Sequence, residues 1–237
     1  MNFKESLGLK NKFLIVHSGN MGVKQGLEVI LQAAQLSNKD RSLHYLLVGD
    51  GAVREVLENK ARKMELRNLQ FLPLLPDRQF KELLTATDVS LITQQRCVAD
   101  IVFPSKVITL MASGRTIVAS VSKTSEVARV LNDARAGLVV PPEDPTRIMS
   151  AVSALRDDAS LRHEMARNAR EFAKRTWDRD QILSKMESQL YALIASGAVK
   201  DSGRGRIWKL SRLRQKDPTS ITPDQRREAI SSQPEGR

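Results

Sequence analysis

Two short stretches hold the residue types and spacings that could do chemistry. The first is "HSGNMGVKQG", residues 17–26, where Gly19 and Gly22 permit a tight path out of an apolar strand. The residues that follow read as a helix start, whose free N–H groups and positive dipole end attract an anion. Asn20 lies between the glycines, and Lys24 could offer its ammonium to a phosphate as a point charge. The second stretch is "FPSK", residues 103–106. Pro104 suits the first turn of a helix, with Ser105 and Lys106 at its N-terminus. Either turn alone is equally well an unliganded β–α corner carrying a solvated lysine. Two lysine-bearing helix starts on one sheet edge suit a diphosphate.

Other residues carry weaker signals. Ser125 and Glu126 open a helix after an apolar strand; the carboxylate could meet a ligand hydroxyl, or simply favour the positive helix end. Asp144 before Pro145 reads as an N-cap with proline at the next position. Asp50, flanked by glycines in "VGDG", is slight support for a ribose-binding acid. The first turn, G-x-x-G-x-K, matches neither the G-x-G-x-x-G fingerprint nor a Walker P-loop. His17, His44 and His163 are isolated, so no metal site is expected. No G-x-S-x-G elbow occurs. No catalytic residue can be named.

The elements that must position these residues alternate regularly. Continuously apolar strands are expected at 13–17, 44–49, 69–72, 89–93, 116–120 and 137–140. Helical patterns fall at about 24–37, 52–65, 77–86, 105–113, 124–133 and 145–156, with two more at 158–175 and 178–195. The order predicts an α/β fold: a doubly wound, parallel, six-stranded sheet whose ligands sit outside the strands' carboxyl ends. From about residue 197 the chain turns Arg-, Ser-, Pro- and Gln-rich, and 197–237 is expected to be a basic, disordered tail.

Composition narrows the function classes. Of 237 residues, 41% are hydrophobic and 27% charged, as in a globular protein with a core. The net charge is +11. Residues 200–237 hold ten Lys/Arg and five acids, a surplus of five that leaves six for the body. A basic body suits an anionic ligand or an anionic membrane surface. Nucleic acid is not expected as a partner, because aromatics are only 4% and stacking platforms need them. No apolar run reaches membrane-spanning length, and "MNFKESLGLK" lacks a signal-peptide core. With Cys97 the one cysteine, a cytoplasmic setting is expected, with peripheral contact at the inner face of the plasma membrane as a further option.

Five segments in order carry a resemblance: "SGNMGVKQGLEVILQAA", "YLLVGDGAVREVLE", "NLQFLPLLPDRQFKELLTATDVSLI", "FPSKVITLMASGRTIVAS" and "SEVARVLNDARAGLVVPPEDPTRI". Together they resemble the C-terminal, donor-binding domain of family-four (group 1) retaining glycosyltransferases of GT-B architecture, Rossmann-like in fold. Within the family they are most similar to the bacterial exopolysaccharide and colanic-acid type. The resemblance covers residues 11–196. It implies that Lys24 and Lys106, with Gly19, Gly22, Asn20 and Ser105 around them, hold the diphosphate of a nucleotide-sugar donor. It sets Leu72 and Pro73 against the base, Thr109 near the ribose, and Ser125 and Glu126 near the sugar. The donor is a substrate, so no cofactor and no metal are expected.

Three positions depart from the family pattern. Many relatives carry Arg where this chain has Asn20, and two glutamates where it has Ile101 and Thr109. A GT-B enzyme also has an N-terminal acceptor domain of similar size. The chain is therefore expected to be half an enzyme, partnered by a separate acceptor-binding domain or chain and inactive alone. The alternatives are a non-catalytic nucleotide-sugar-binding remnant and, less favoured, a dinucleotide-binding oxidoreductase domain.

Overall fold

The computed structural model describes residues 3–98 and 105–195. Pro104, Ile101 and the tail at 197–237 therefore lie outside the described residues. Six strands form one sheet: β1 (Phe13–Ser18), β2 (Leu43–Val48), β3 (Leu69–Leu72), β4 (Val89–Thr93), β5 (Ile117–Ser120) and β6 (Gly137–Val140). The order is β3-β2-β1-β4-β5-β6, and every pairing is parallel. The topology reverses between β1 and β4, which is where a doubly wound sheet opens a ligand crevice.

Helices cover both faces, which explains why the strands are apolar throughout. Ile15, Tyr45, Leu47 and Leu91 face a layer built with α2 (Glu28–Leu36), α3 (Arg54–Lys63) and α7 (Pro145–Asp157). On the other face Leu14, Val16, Leu46 and Val48 pack against α4 (Asp77–Ala86) and a short N-terminal helix, α1 (Phe3–Ser6). Ile92, Ile117 and Ala119 complete that face with α5 (Ser105–Ala112), α6 (Glu126–Ala134) and α8 (Ala159–Trp177). The sequence pattern does not announce α1. It is fixed by Lys4, whose Nζ reaches Asp88 at 2.6 Å and the Lys12 carbonyl at 3.0 Å.

Local chemistry sets the helix ends. Asp144 accepts from the Arg147 amide at 2.9 Å with Pro145 next, and Asp158 caps α8 through the Leu161 amide at 2.8 Å. Gly114 stops α5 at φ +61°. The one interior difference lies at 24–37, expected to be a single helix. Gly26 adopts the left-handed region at φ +58° and closes a separate 3-10 turn, Val23–Gln25, before α2 begins.

The chain divides into two units, 1–185 and 186–237. The division falls inside the last helix, α9 (Arg179–Ala195). In the first unit α9 opens on an Asp178 cap, accepting from the Gln181 amide at 3.0 Å. In the second, Met186, Leu190, Tyr191 and Leu193 are exposed.

Candidate functional site

Beyond the strand ends, the connecting turns continue the sheet's hydrogen bonding. The Gly19 amide donates to the Val48 carbonyl at 2.8 Å and Met21 to Asp50 at 2.7 Å, while Val53 donates to Met21 at 3.0 Å. The turn after β1 is thus laid onto the turn after β2. This explains both glycines of "VGDG". A Cβ on Gly49 would stand 2.0 Å from the Gly19 carbonyl oxygen, and one on Gly51 2.6 Å from Asn20 Oδ1. Asp50 itself caps its neighbour, accepting from the Gly51 amide at 2.8 Å.

The loop after β4 locks the other side. Thr93 Oγ1 donates to the Gln25 carbonyl at 2.6 Å, and the Gln95 amide donates to the Lys24 carbonyl at 3.0 Å. Arg96 joins this loop to the segment after β6 through Glu143 at 3.7 Å. Lys24 therefore lies in the 3-10 turn, not in the first turn of α2. Its backbone is anchored, and its side chain is exposed without an ion pair among the described residues.

Lys106, the second residue of α5, reaches the first turn from across the edge. Its Nζ lies 3.4 Å from the point a Cβ would take on Gly19, whose φ is +125°. A Cβ there would touch the ammonium at ordinary contact distance, and the positive φ favours glycine. Burial lowers the Lys106 pKa from 10.5 to about 8, and no carboxylate pairs with it among the described residues. A half-buried ammonium with no counter-ion among the described residues, set against a glycine turn, is a place for an anion.

His17, at the end of β1 beneath this turn, is fully buried. Burial, and secondly the Lys106 charge, lower its pKa to about 3, so it is neutral. The carbonyls of Leu91 and Asn20 approach the ring without reaching hydrogen-bond geometry. Isolation in the sequence hides this residue; only its place two positions before Gly19 hints at it.

The remaining candidates spread along the same edge. Ser105 starts α5 and is exposed, and Thr109 is exposed one turn beyond Lys106. Leu72 ends β3 and Pro73 follows it into solvent. The Leu72 carbonyl accepts from the Gly49 amide at 3.1 Å and from Arg54 Nη1 at 3.3 Å. Arg54 also donates to the Gly49 carbonyl at 2.6 Å, so one guanidinium ties two strand ends together. Ser125 is buried, and its hydroxyl accepts from the Ala128 amide at 3.1 Å as the α6 cap. Glu126 pairs with Arg129 one turn along the helix, Nε to Oε2 at 2.8 Å. The structure thus brings Gly19 and Lys106 together, and commits Ser125 and Glu126 to the start of α6.

Residues 2–172 match the family model described as glycosyl transferases group 1. The chain is 36% identical over 174 residues to WcaI of Escherichia coli (strain K12), a glycosyl transferase assigned to colanic acid biosynthesis. That match takes in 73% of this chain and 42% of the relative, so the chain spans about two-fifths of its length. Among solved structures it resembles Anabaena Alr3699/HepE in complex with UDP. The TM-score is 0.70 at 19% identity, covering 80% of this chain and 51% of that one. The C-terminal domain of the group 1 glycosyl transferase LpcC from Francisella tularensis superposes at TM-score 0.60 and 17% identity, covering 75% of this chain and 92% of that domain.

Proposed function

Because this chain belongs to the group 1 glycosyl transferases, we propose that it is the donor-binding part of one, gripping the diphosphate of a nucleotide-sugar between Lys106 and the Gly19 turn. The observation that carries the reading is the Lys106 ammonium, half-buried, with no carboxylate paired to it among the described residues, and standing against a glycine. Lys24 and Ser105 add donors on the same edge. Leu72 and Pro73 lie where a base would pack, and Thr109 where a ribose hydroxyl would reach. Ser125 and Glu126 stand where the sugar would approach, although both side chains already serve α6.

The reaction is transfer of the sugar to a glycan or lipid-linked acceptor, in synthesis of an extracellular polysaccharide at the cytoplasmic side of the membrane. The likeness to WcaI supports that pathway. A UDP complex of a protein with this fold supports the donor class. An acceptor-binding domain or chain would complete the cleft. As diphosphate charge develops on the leaving group, fixed cations already in place would stabilise it without reorganisation. The lysines would do this in place of a divalent cation.

Calorimetry against UDP-glucose, a GDP-sugar and NAD tests the reading, each with magnesium and with a chelator. Binding of a nucleoside-diphosphate sugar, indifferent to the chelator, supports it. Binding of NAD alone would replace it with a dinucleotide site. Loss of binding in chelator would remove the metal-free part.

A further inference from the structure

We propose that the protein pairs with a second copy of itself through the open edge of β3, in a two-fold dimer that joins the two sheets antiparallel. β3 is one of the two edge strands, and its pairing with β2 fixes which of its backbone groups are committed. The Tyr45 amide donates to the Asn68 carbonyl at 2.7 Å, and the Gly49 amide to the Leu72 carbonyl at 3.1 Å. Backbone groups alternate between the two sides of a strand. Gln70 therefore also turns to β2, while the N–H and C=O of Leu69 and Phe71 point outward. Outside the ladder, neither residue's backbone makes a hydrogen bond among the described residues. No charge, proline or bulge within Leu69–Leu72 blunts the edge.

The spacing is self-complementary. In antiparallel strands, directly opposed residues alternate between pairs that exchange two hydrogen bonds and pairs that exchange none. Place Gln70 opposite the second copy's Gln70, on the two-fold axis, and Leu69 falls opposite Phe71 on both sides of it. The outward groups then form two doubly bonded pairs, with the unbonded Gln70 pair between them. Opposed side chains share a face of the sheet. Leu69 and Phe71 both pack on the α3 side, with Leu57 and Ala61, so each apolar pair stays on that side.

A groove beside the edge has room for them. A cavity of about 730 Å³ opens between α3 and β3, with Ala61, Leu66, Leu69 and Phe71 as its apolar lining. All of β3 is only half-buried, whereas every residue of β2 is buried, so an added strand would complete the cover.

Charge selects a second copy as the occupant. The charged lining is Glu58, Glu65, Arg62 and Arg67, two acids and two bases. The chain as a whole carries +11, which repels a copy in general, but this patch is balanced. A two-fold axis beside it lets acids of one copy meet arginines of the other. Glu58 pairs with Arg54 at 2.8 Å, whereas Arg62, Glu65 and Arg67 form no ion pair among the described residues.

Sedimentation equilibrium of the full chain tests the dimer. The wild type should show a mass that rises with concentration toward two chains. Gln70→Lys and Gln70→Glu each set like charges face to face on the axis, and each should raise the dimer dissociation constant about threefold or more. Mixed in equal amounts, the two variants should associate at least as well as the wild type, because the facing charges are then opposite. Cross-linking reads the register, using Gln70→Cys in a Cys97→Ser chain. The Cα atoms of an unbonded pair lie about 4.5 Å apart, within disulfide range, so mild oxidation should give a covalent dimer. Gln70 is half-buried at the edge, and circular dichroism checks that each variant is folded. A monomeric wild type overturns the proposal and leaves the edge to some other strand. So does a dimer indifferent to both charges, or one that fails to cross-link through position 70.

Discussion

Lys106 Nζ stands 3.4 Å from the position of a Cβ on Gly19, so the helix start after β4 and the turn after β1 form one small surface. Two segments far apart in sequence thus meet over the buried ring of His17. The first prediction concerns this contact. Lys106→Met should leave the protein at least as stable as before, because it removes a half-buried charge that has no carboxylate partner among the described residues. The same variant should lose UDP affinity. Thermal unfolding and calorimetry on one preparation separate the two effects.

The Lys106 ammonium titrates at about 8, so binding should depend on pH. A diphosphate binds the protonated form. Affinity should therefore be full near pH 7 and fall as pH rises through 8, approaching tenfold per pH unit. Folding stability should move the other way. The folded pKa lies below the unfolded value of 10.5, so the unfolded chain holds more protons between about 8 and 10.5, and stability rises across that window. Lys106→Met should flatten both profiles, read by calorimetry and by urea unfolding across the range.

Gly49 is predicted to be the least replaceable residue of the edge. Its φ is +139°, and an added Cβ would stand 2.0 Å from the Gly19 carbonyl oxygen. Gly49→Ala should cost about 2 kcal/mol or more through backbone strain and displacement of the first turn. Gly22→Ala should cost less, since its backbone is extended at φ −98° and its nearest neighbour is the tip of the Gln25 side chain. Urea unfolding of the two variants gives the comparison directly.

Arg54 supplies a prediction about the base wall. Its guanidinium holds the Gly49 and Leu72 carbonyls together at 2.6 and 3.3 Å. Arg54→Ala should cost about 1–3 kcal/mol of stability through the lost charged hydrogen bonds. It should also weaken UDP more than pyrophosphate, because the segment it positions is the one proposed to face the base. Equal losses for both ligands would confine Arg54 to a structural part.

Most of the fold was legible in the sequence because the sheet is buried on both faces. Runs such as "FLIVH" and "VSLIT" are continuously apolar, and short Gly- and Asp-bearing turns separate them from amphipathic helices. The 3-10 turn at Val23–Gln25 was not legible, since a glycine inside a helical pattern does not declare that it is left-handed. Lys106 and the first-turn glycines could be singled out from residue type. What they do together could not, because the contact spans the β1–β4 crossover. Arg54 and His17 were missed for the same reason: their partners are backbone carbonyls and a distant lysine. Asp50 reads as slight support for a ribose-binding acid, while the glycines on either side of it are required by the neighbouring turn.

The most direct measurement is a calorimetric titration of UDP into the wild-type chain, Lys24→Ala and Lys106→Ala at pH 7. The account predicts saturable binding by the wild type, weakened about tenfold or more by Lys106→Ala and by a smaller factor by the exposed Lys24→Ala. Equal affinity in all three proteins would contradict the diphosphate grip at the Gly19–Lys106 contact.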